Sequence, residues 1–241
     1  MRKLSRPLLD STVAADLASR QATVDRSASP SKEVTTEWKK FRGASKAAVR
    51  ETLETMASGL SRCMYCEDSM GTDIDHFRPK VKYPSSGFVW SNMYLACSHC
   101  NSNQKREEFP EVNGAPQLID PAEDSPWLHL AFSPTTGQFE PLTEKGRLSC
   151  DVFGLNREIC ALGRKDAWVA ICVLVAGWNQ LQTRGDSAQA DNILTALRHH
   201  PFQALMRVAV TMSALDIDDG QMPLEARNAF RAHQVLRELA D

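Results

Sequence analysis

Residues 63–101 read CMYCEDSMGTDIDHFRPKVKYPSSGFVWSNMYLACSHCN, and the spacing of the cysteines in this stretch decides the local fold. Two Cys-x-x-Cys pairs, Cys63/Cys66 and Cys97/Cys100, stand at its ends with 30 residues between them. Thiolates are preferred zinc ligands, and a Cys-x-x-Cys turn lets two of them reach one ion. Four thiolates fill a tetrahedral site and leave no open position. The pattern therefore predicts one structural zinc ion.

The segment between the cysteine pairs predicts a β-hairpin followed by a helix. TDIDHF (72–77) has strand character and PSSG (84–87) is typical of a turn. The stretch NMYLACSHCNSNQKREEF (92–109) is expected to pass from a loop into a helix. Zinc would tie the ends of this unit together.

A carboxylate, an imidazole and two amides lie within the same stretch. Asp75 directly precedes His76, Asn92 follows 16 residues after His76, and Asn101 follows the last cysteine. Imidazole titrates near neutral pH, so His76 is a candidate general base that activates water. Asp75 and Asn101 offer hard oxygen ligands suited to Mg²⁺ or Mn²⁺, and Asn92 can brace the backbone near His76. Neighbouring strand residues point to opposite faces, so a twisted strand end or a bulge is needed to unite Asp75 and His76.

The other cysteines and His99 have simpler interpretations. His99 lies inside the second pair and is an alternative zinc ligand, but four cysteines suffice, so a surface position or a phosphate contact is expected. Cys150, Cys160 and Cys172 lie in apolar, helical-looking sequence and are expected in the core. Paired cysteines within an odd total of seven favour metal binding in a reducing cytoplasm over disulfides. No secretory signal or membrane span is expected.

The charge distribution is informative only locally. The chain has 241 residues, 42% hydrophobic and 24% charged, which is typical of a soluble globular protein, and its net charge of −2 gives no global argument for nucleic-acid binding. The segment between His76 and Arg106 contains no Asp or Glu. We expect a basic, nucleic-acid-binding patch there, with a solvated face as the alternative for the first two lysines. Its cations are Arg78, Lys80, Lys82, Lys105 and Arg106. Arg78, two residues from His76, is the preferred phosphate clamp.

The remaining sequence predicts an α+β fold that is mostly α, with a small zinc-tied ββα core embedded among helices. Residues 1–60 are expected to form an N-terminal arm and helix, with 1–30 either a loose arm or a short helix and 45–60 helical. Residues 61–110 form the core with the zinc turns. Residues 111–241 form a connector, with a hairpin across SPTTG (133–137), and a C-terminal helical region.

The set of motifs resembles the HNH (ββα-metal) nuclease superfamily in its four-cysteine zinc form. The resemblance covers about residues 63–105, through the two cysteine pairs, Asp75-His76, Asn92 and the Asn101 that follows the last cysteine. It implies that Asp75 and Asn101 hold a catalytic Mg²⁺ or Mn²⁺, that His76 is the general base, and that Asn92 braces the loop. It also implies a fold in which Asp75 and His76 reach one site, which the alternation of side chains along a strand does not provide.

A narrower resemblance covers about residues 38–170. CMYCE, DIDHFRPK, WSNMYLACSHCNSNQK, QLIDP and FGLNREICALGRKDA are similar to a bacterial family of small HNH proteins of the Septu anti-phage system and of retron-linked defence operons. This implies an endonuclease, with DNA as the expected substrate, that acts with an ABC/SMC-like ATPase. In retron versions a reverse transcriptase and its multicopy DNA are further partners. The C-terminal helices are then expected to dock the ATPase.

Two alternatives remain open on the sequence. One is an RNA- or tRNA-cleaving effector of a retron system. Because the RNA 2′-OH permits metal-free cleavage, activity that persists in EDTA would indicate it. The other is a non-catalytic zinc module that binds nucleic acid or protein, which would need the cysteines but not Asp75, His76 and Asn101 together.

Overall fold

Strands β1 (Asp73–His76) and β2 (Met93–Ala96) pair antiparallel in the computed structural model of the protein, which describes residues 1–215 and 220–240. Asp73 lies opposite Ala96, and His76 lies opposite Met93. A π-helical segment, His99–Lys105, follows β2. Its wide turn is closed by a bond from the Arg106 amide to the Asn101 carbonyl at 2.8 Å. The predicted hairpin followed by a helix is therefore confirmed.

Three helices precede this unit: α1 (Ser11–Asp25), α2 (Pro30–Lys40) and α3 (Ala44–Met56). For residues 1–30 the structure decides in favour of a helix over a loose arm. The Asp10 side chain caps α1 by accepting from the amides of Thr12 and Val13. Helix α1 buries only Val13, Leu17 and Val24. Because so few of its residues are apolar and buried, its sequence gives little helical periodicity.

The connector carries two small hairpins. Strands β3 (Glu111–Val112) and β4 (Ala115–Pro116) form the first, and β5 (Leu130–Phe132) and β6 (Phe139–Pro141) form the second. The second is the hairpin predicted across residues 133–137. Its turn needs Gly137, which has a φ of +72° and whose added Cβ would lie 2.0 Å from the Ala161 carbonyl oxygen.

Six helices complete the described chain: α4 (Glu144–Phe153), α5 (Glu158–Arg184), α6 (Ser187–His199), α7 (Ala204–Ala214), α8 (Leu224–Ala232) and α9 (Gln234–Glu238). Residues 216–219 and 241 of the predicted helical region lie outside the described residues. His233, whose backbone is extended, separates α8 from α9. The His233 ring packs edge-on against Trp178, and its Nε2 lies 3.0 Å from the Asn179 Oδ1.

The buried apolar residues form two clusters. The first includes residues between Met1 and Cys160, and the second includes residues between Ala167 and Ala240, so the change falls within α5. Cys150, Cys160 and Cys172 are buried as expected. Some apolar side chains of α5 are exposed, among them Ile159, Leu162 and Val169. No described helix combines the length and the apolar character needed to cross a bilayer.

Candidate functional site

The four paired cysteines converge on one point. The sulfur atoms of Cys63, Cys66, Cys97 and Cys100 all lie within 4.8 Å of one another, and all four residues are buried. The Cys66 and Cys97 sulfurs are 3.9 Å apart, close to the ~3.8 Å edge of a tetrahedron with Zn–S bonds of about 2.3 Å. Within residues 1–215 and 220–240, this is the one group of three or more His, Cys, Asp or Glu side chains so arranged. The donor set fits structural zinc.

Two of the cluster sulfurs accept hydrogen bonds from neighbouring groups. The Cys100 amide donates to the Cys97 sulfur at 3.4 Å, and the Arg157 guanidinium donates to the Cys100 sulfur at 3.6 Å. The pKa of Cys66 is held well below its usual value, first because of a hydrogen bond with Cys100 and next because of one with Cys160. Burial raises the pKa of Cys63 well above its usual value. Because zinc binds the thiolate, binding of the ion would be coupled to loss of the thiol protons.

His99 does not take part in the cluster. Its side chain is exposed, and its Nε2 lies 3.2 Å from the Gln104 Nε2. The expectation of a surface histidine is met.

A second site lies in an open cavity of about 600 Å³. Asp75 and His76 line it together with Asn101, which lies 25 residues after His76, and with Asp73. All four residues of β1, Asp73–His76, line the cavity. The adjacent Asp75 and His76 therefore share one cavity although both lie within the paired strand.

Asp75 is buried and held by two donors. The Tyr65 hydroxyl donates to its Oδ2 at 2.6 Å, and the Lys105 ammonium donates to its Oδ1 at 3.2 Å. Burial raises the pKa of the Asp75 carboxyl, while Lys105 first and Tyr65 next act to lower it. Each carboxylate oxygen can accept more than one bond, so both oxygens retain capacity for a cation.

Lys105 does not belong to the expected surface patch. Its side chain is 0% exposed, and its ammonium also donates to the His76 carbonyl oxygen at 2.6 Å. The π-helical segment ends at Lys105 and places its side chain beneath β1. There the Asp75 carboxylate and the His76 carbonyl oxygen replace water as acceptors for the ammonium. The prediction of Lys105 as a nucleic-acid contact is therefore corrected: it is the buried counter-ion of Asp75.

The His76 imidazole is oriented by a backbone carbonyl. Its Nε2 lies 2.9 Å from the Gly87 oxygen. A carbonyl can only accept, so Nε2 carries the hydrogen and Nδ1 of the neutral ring holds the lone pair. Burial, followed by the positive charge of Lys80, lowers the pKa of His76 to about 3. The ring is thus neutral near pH 7, the state that a base requires.

Asp73 is a site residue that the sequence analysis missed. Its Oδ2 accepts a bond from the Asn101 Nδ2 at 3.1 Å. This contact fixes the orientation of the amide, and no described residue donates to the Asn101 Oδ1, which remains a candidate metal ligand. A signal was available, because Asp73 precedes Asp75 by two positions and alternate strand residues share a face.

Asn92 closes the loop that follows β1. Its Oδ1 accepts from the Arg78 amide at 2.7 Å, and its Nδ2 donates to the carbonyl oxygens of Arg78 and Ser86 at 3.0 and 2.9 Å. The side chain is buried and takes no part in lining the Asp75 cavity. Its bonds hold the loop that carries Gly87, the partner of His76.

The remaining predicted cations are divided between two places. Lys80 and Arg106 line the cavity, whereas Arg78 and Lys82 do not. The Arg78 guanidinium pairs with Glu111 at 2.6 Å, and the Lys82 ammonium donates to the Glu107 carbonyl at 2.7 Å. Arg78 is thus turned away from the position expected of a phosphate clamp at His76.

The other wall of the cavity comes from the N-terminal helices, which the sequence analysis did not connect with the site. Its residues include Trp38, Arg42, Lys46 and Arg50. The Trp38 ring lies edge-on to the His76 ring, with 4.4 Å between centroids. No local pattern signalled this wall, because the contact joins segments more than 30 residues apart in the chain.

Comparison with known proteins agrees with this geometry. A family model described as HNH endonuclease matches residues 63–107. The chain is also 29% identical to the Septu protein PtuB of Bacillus mycoides (strain KBAB4) over 141 aligned residues, covering 46% of this chain and 47% of that protein. It is 28% identical to the Septu protein PtuB of Bacillus thuringiensis over 102 residues, covering 40% of this chain and 37% of that protein.

The chain spans about half the length, or less, of these curated relatives. The family model covers the four thiols, β1, β2 and the π-helical segment, which together hold Asp75, His76 and Asn101. Residues 63–107 of this chain are an HNH endonuclease domain with a four-cysteine cluster suited to zinc, in a protein homologous to the Septu proteins PtuB.

Proposed function

We propose that this protein is a metal-dependent endonuclease that hydrolyses phosphodiester bonds, with DNA as its substrate. The observation that carries the proposal is one cavity lined by Asp75, His76 and Asn101, beside a buried four-thiol cluster. A purely structural zinc module needs the thiols but not a neutral imidazole that lines one cavity with two hard oxygen ligands.

His76 would act as the general base. Its Nδ1 would take the proton of the attacking water, while the Nε2–H bond to the Gly87 carbonyl keeps the ring in place. Asn92 supports this arrangement through its bonds to the same loop. The depressed pKa keeps the base unprotonated at neutral pH.

Asp75 and Asn101 would hold the catalytic Mg²⁺ or Mn²⁺. Such an ion supplies charge stabilisation at the scissile phosphate and the leaving oxygen. Tyr65 and Lys105 fix the Asp75 carboxylate, and Asp73 fixes the Asn101 amide. The ligand pair is thereby positioned before any ion arrives.

The similarity to Septu proteins supports a role as an effector of bacterial anti-phage defence. In that setting the protein would act with an ABC/SMC-like ATPase encoded beside it, docked by the C-terminal helices. In a retron-linked operon, a reverse transcriptase and its multicopy DNA would be additional partners. These partners are proposed from the resemblance, and the exposed apolar side chains of α5 are compatible with a docking role.

A cleavage assay tests the proposed activity. The full chain, alone and with its operon neighbours, is incubated with duplex DNA, single-stranded DNA and total tRNA in Mg²⁺, Mn²⁺ or EDTA. We expect metal-dependent cutting of DNA. His76→Ala should lower the rate roughly 10²- to 10⁴-fold, the scale of a general base.

His99→Ala is the matched control, since His99 is an exposed histidine in the same domain. It should cleave like the wild type. Wild-type rates from His76→Ala would refute the assignment of the base. Cutting of tRNA alone would show that the substrate is RNA and not DNA. No cutting under any condition would favour a zinc-binding module without catalysis.

A further inference from the structure

The N-terminal helices contribute an unpaired cation to the cavity. Lys46, near the start of α3, lines the cavity beside Lys80. Within residues 1–215 and 220–240, neither ammonium makes a hydrogen bond or an ion pair. Both instead lie over the Trp38 ring, at 5.2 Å for Lys46 and 5.8 Å for Lys80. Two cations at one rim, neither bonded to a carboxylate of the described residues, indicate a site for an anion.

Two arginines of the cavity are already engaged. The Arg50 guanidinium bonds to Glu54 and to the Thr72 carbonyl, and the Arg42 Nε donates to the Lys39 carbonyl. Three carboxylates also line the cavity: Asp73, Asp75 and Glu107. Asp73 is bonded to Asn101 and Asp75 to Lys105, and within the described residues none of the three forms an ion pair with Lys46 or Lys80.

The position of Lys46 relative to His76 is set by packed aromatic rings. Phe41, in the turn between α2 and α3, is fully buried and contacts Phe88 with 5.7 Å between ring centroids. Trp38 contacts Phe88 at 5.6 Å and His76 at 4.4 Å. Because these rings join α2 to the HNH domain, the Lys46 ammonium is held at the cavity and not on a mobile arm.

We propose that Lys46 binds a backbone phosphate of the polynucleotide strand that lies across His76, with Lys80 as its neighbour from the HNH domain. The inference rests on the proposed nuclease function and extends the substrate site beyond residues 63–107. A polynucleotide fits better than a single phosphate, because the unpaired cations, Lys46, Lys80 and Arg106, come from three separate segments around an open cavity.

The test is oligonucleotide binding by the full chain in buffer without added divalent cation, where the proposed cleavage does not proceed. Fluorescence anisotropy with duplex DNA, single-stranded DNA and single-stranded RNA is measured over a series of KCl concentrations. Lys46→Met should weaken binding across sequences and reduce the slope of log K against log [KCl] by about 1. Methionine retains an apolar stem against Trp38 while removing the charge.

Lys32→Met is the matched control, because Lys32 is an exposed lysine of α2 that does not line the cavity. It should leave both affinity and slope unchanged, and Lys46→Arg should retain binding. Equal affinity and slope for Lys46→Met and the wild type would overturn the inference. So would a failure of the wild type to bind any of the oligonucleotides.

Lysine acetylation of the unmodified wild type provides a second measurement that does not depend on a folded variant. Bound oligonucleotide should protect Lys46 and Lys80, but not Lys32, from the reagent. An unprotected Lys46 in a saturated complex would overturn the inference. The cleavage assay with His76→Ala decides the proposed function separately, so a failure of Lys46 alone leaves the nuclease assignment in place.

Discussion

The two sides of the HNH domain are covered by different parts of the chain. On the cysteine side, the C-terminal region packs closely: the Phe153 ring stacks on Tyr65 with 4.2 Å between centroids, and Arg157 donates to the Cys100 sulfur. On the cavity side, the N-terminal helices supply Trp38 and Lys46 but leave space for a ligand. Both regions lie outside the matched residues 63–107, yet only the N-terminal one reaches the candidate active site.

The cysteine side of the domain therefore serves folding stability, whereas the cavity side serves substrate and metal binding. The four thiols are buried and bonded to their neighbours, so an ion bound there would contribute to folding. Among the described residues, no partner pairs with Lys46 or Lys80 of the cavity and none donates to the Asn101 amide oxygen. These groups and the neutral imidazole are therefore available to a substrate and a catalytic cation. Variants on each side should therefore fail in different ways.

The largest effect is expected on the cysteine side. Cys97→Ser should lose zinc and unfold the HNH domain, since structural zinc supplies about 10–16 kcal/mol in small zinc domains. Zinc content by mass spectrometry and thermal unfolding by circular dichroism would measure it. Cys172→Ala is the control, a buried cysteine of the second apolar cluster, and it should keep its zinc. Full zinc content in Cys97→Ser would contradict the assignment.

A smaller loss is expected when the buried ion pair of the cavity side is broken. Lys105→Met leaves the Asp75 carboxylate buried without its counter-ion, which should cost about 3–5 kcal/mol of unfolding free energy. Urea denaturation would measure the cost, and added Mg²⁺ should restore part of it by binding Asp75. Lys82→Met, at an exposed lysine, should change stability by less than about 0.5 kcal/mol. Equal losses of unfolding free energy in Lys105→Met and Lys82→Met would show that the buried ion pair contributes no more to stability than an exposed lysine.

The smallest effect concerns the orientation of a metal ligand. Asp73→Ala should lower Mn²⁺ affinity about 10- to 100-fold, because the Asn101 amide loses the acceptor that orients it. Electron paramagnetic resonance of free Mn²⁺ would measure the affinity. Asp73→Asn keeps an acceptor oxygen and should retain most of the binding. If Asp73→Asn loses as much affinity as Asp73→Ala, then Asp73 acts through its negative charge and not by orienting the Asn101 amide.

Much of the HNH domain was predictable because its signals are local. The two cysteine pairs and the strand character of TDIDHF predicted the four-thiol cluster and the hairpin, and both are present. Asp73 could also have been identified, since it shares a strand face with Asp75. Lys105 was wrongly predicted to belong to the exposed basic patch. A count of charges cannot distinguish an exposed ammonium from one that bonds a buried carboxylate.

The sequence by itself determined the ligand chemistry of this protein: four thiols for zinc, and a carboxylate, an imidazole and an amide at fixed spacing. These follow from residue type and short-range geometry. Only the tertiary structure decided which cations face His76, which nitrogen of His76 is free, and that Trp38 and Lys46 form the opposite wall. Those properties depend on contacts between segments distant in the chain, where burial replaces water with specific partners.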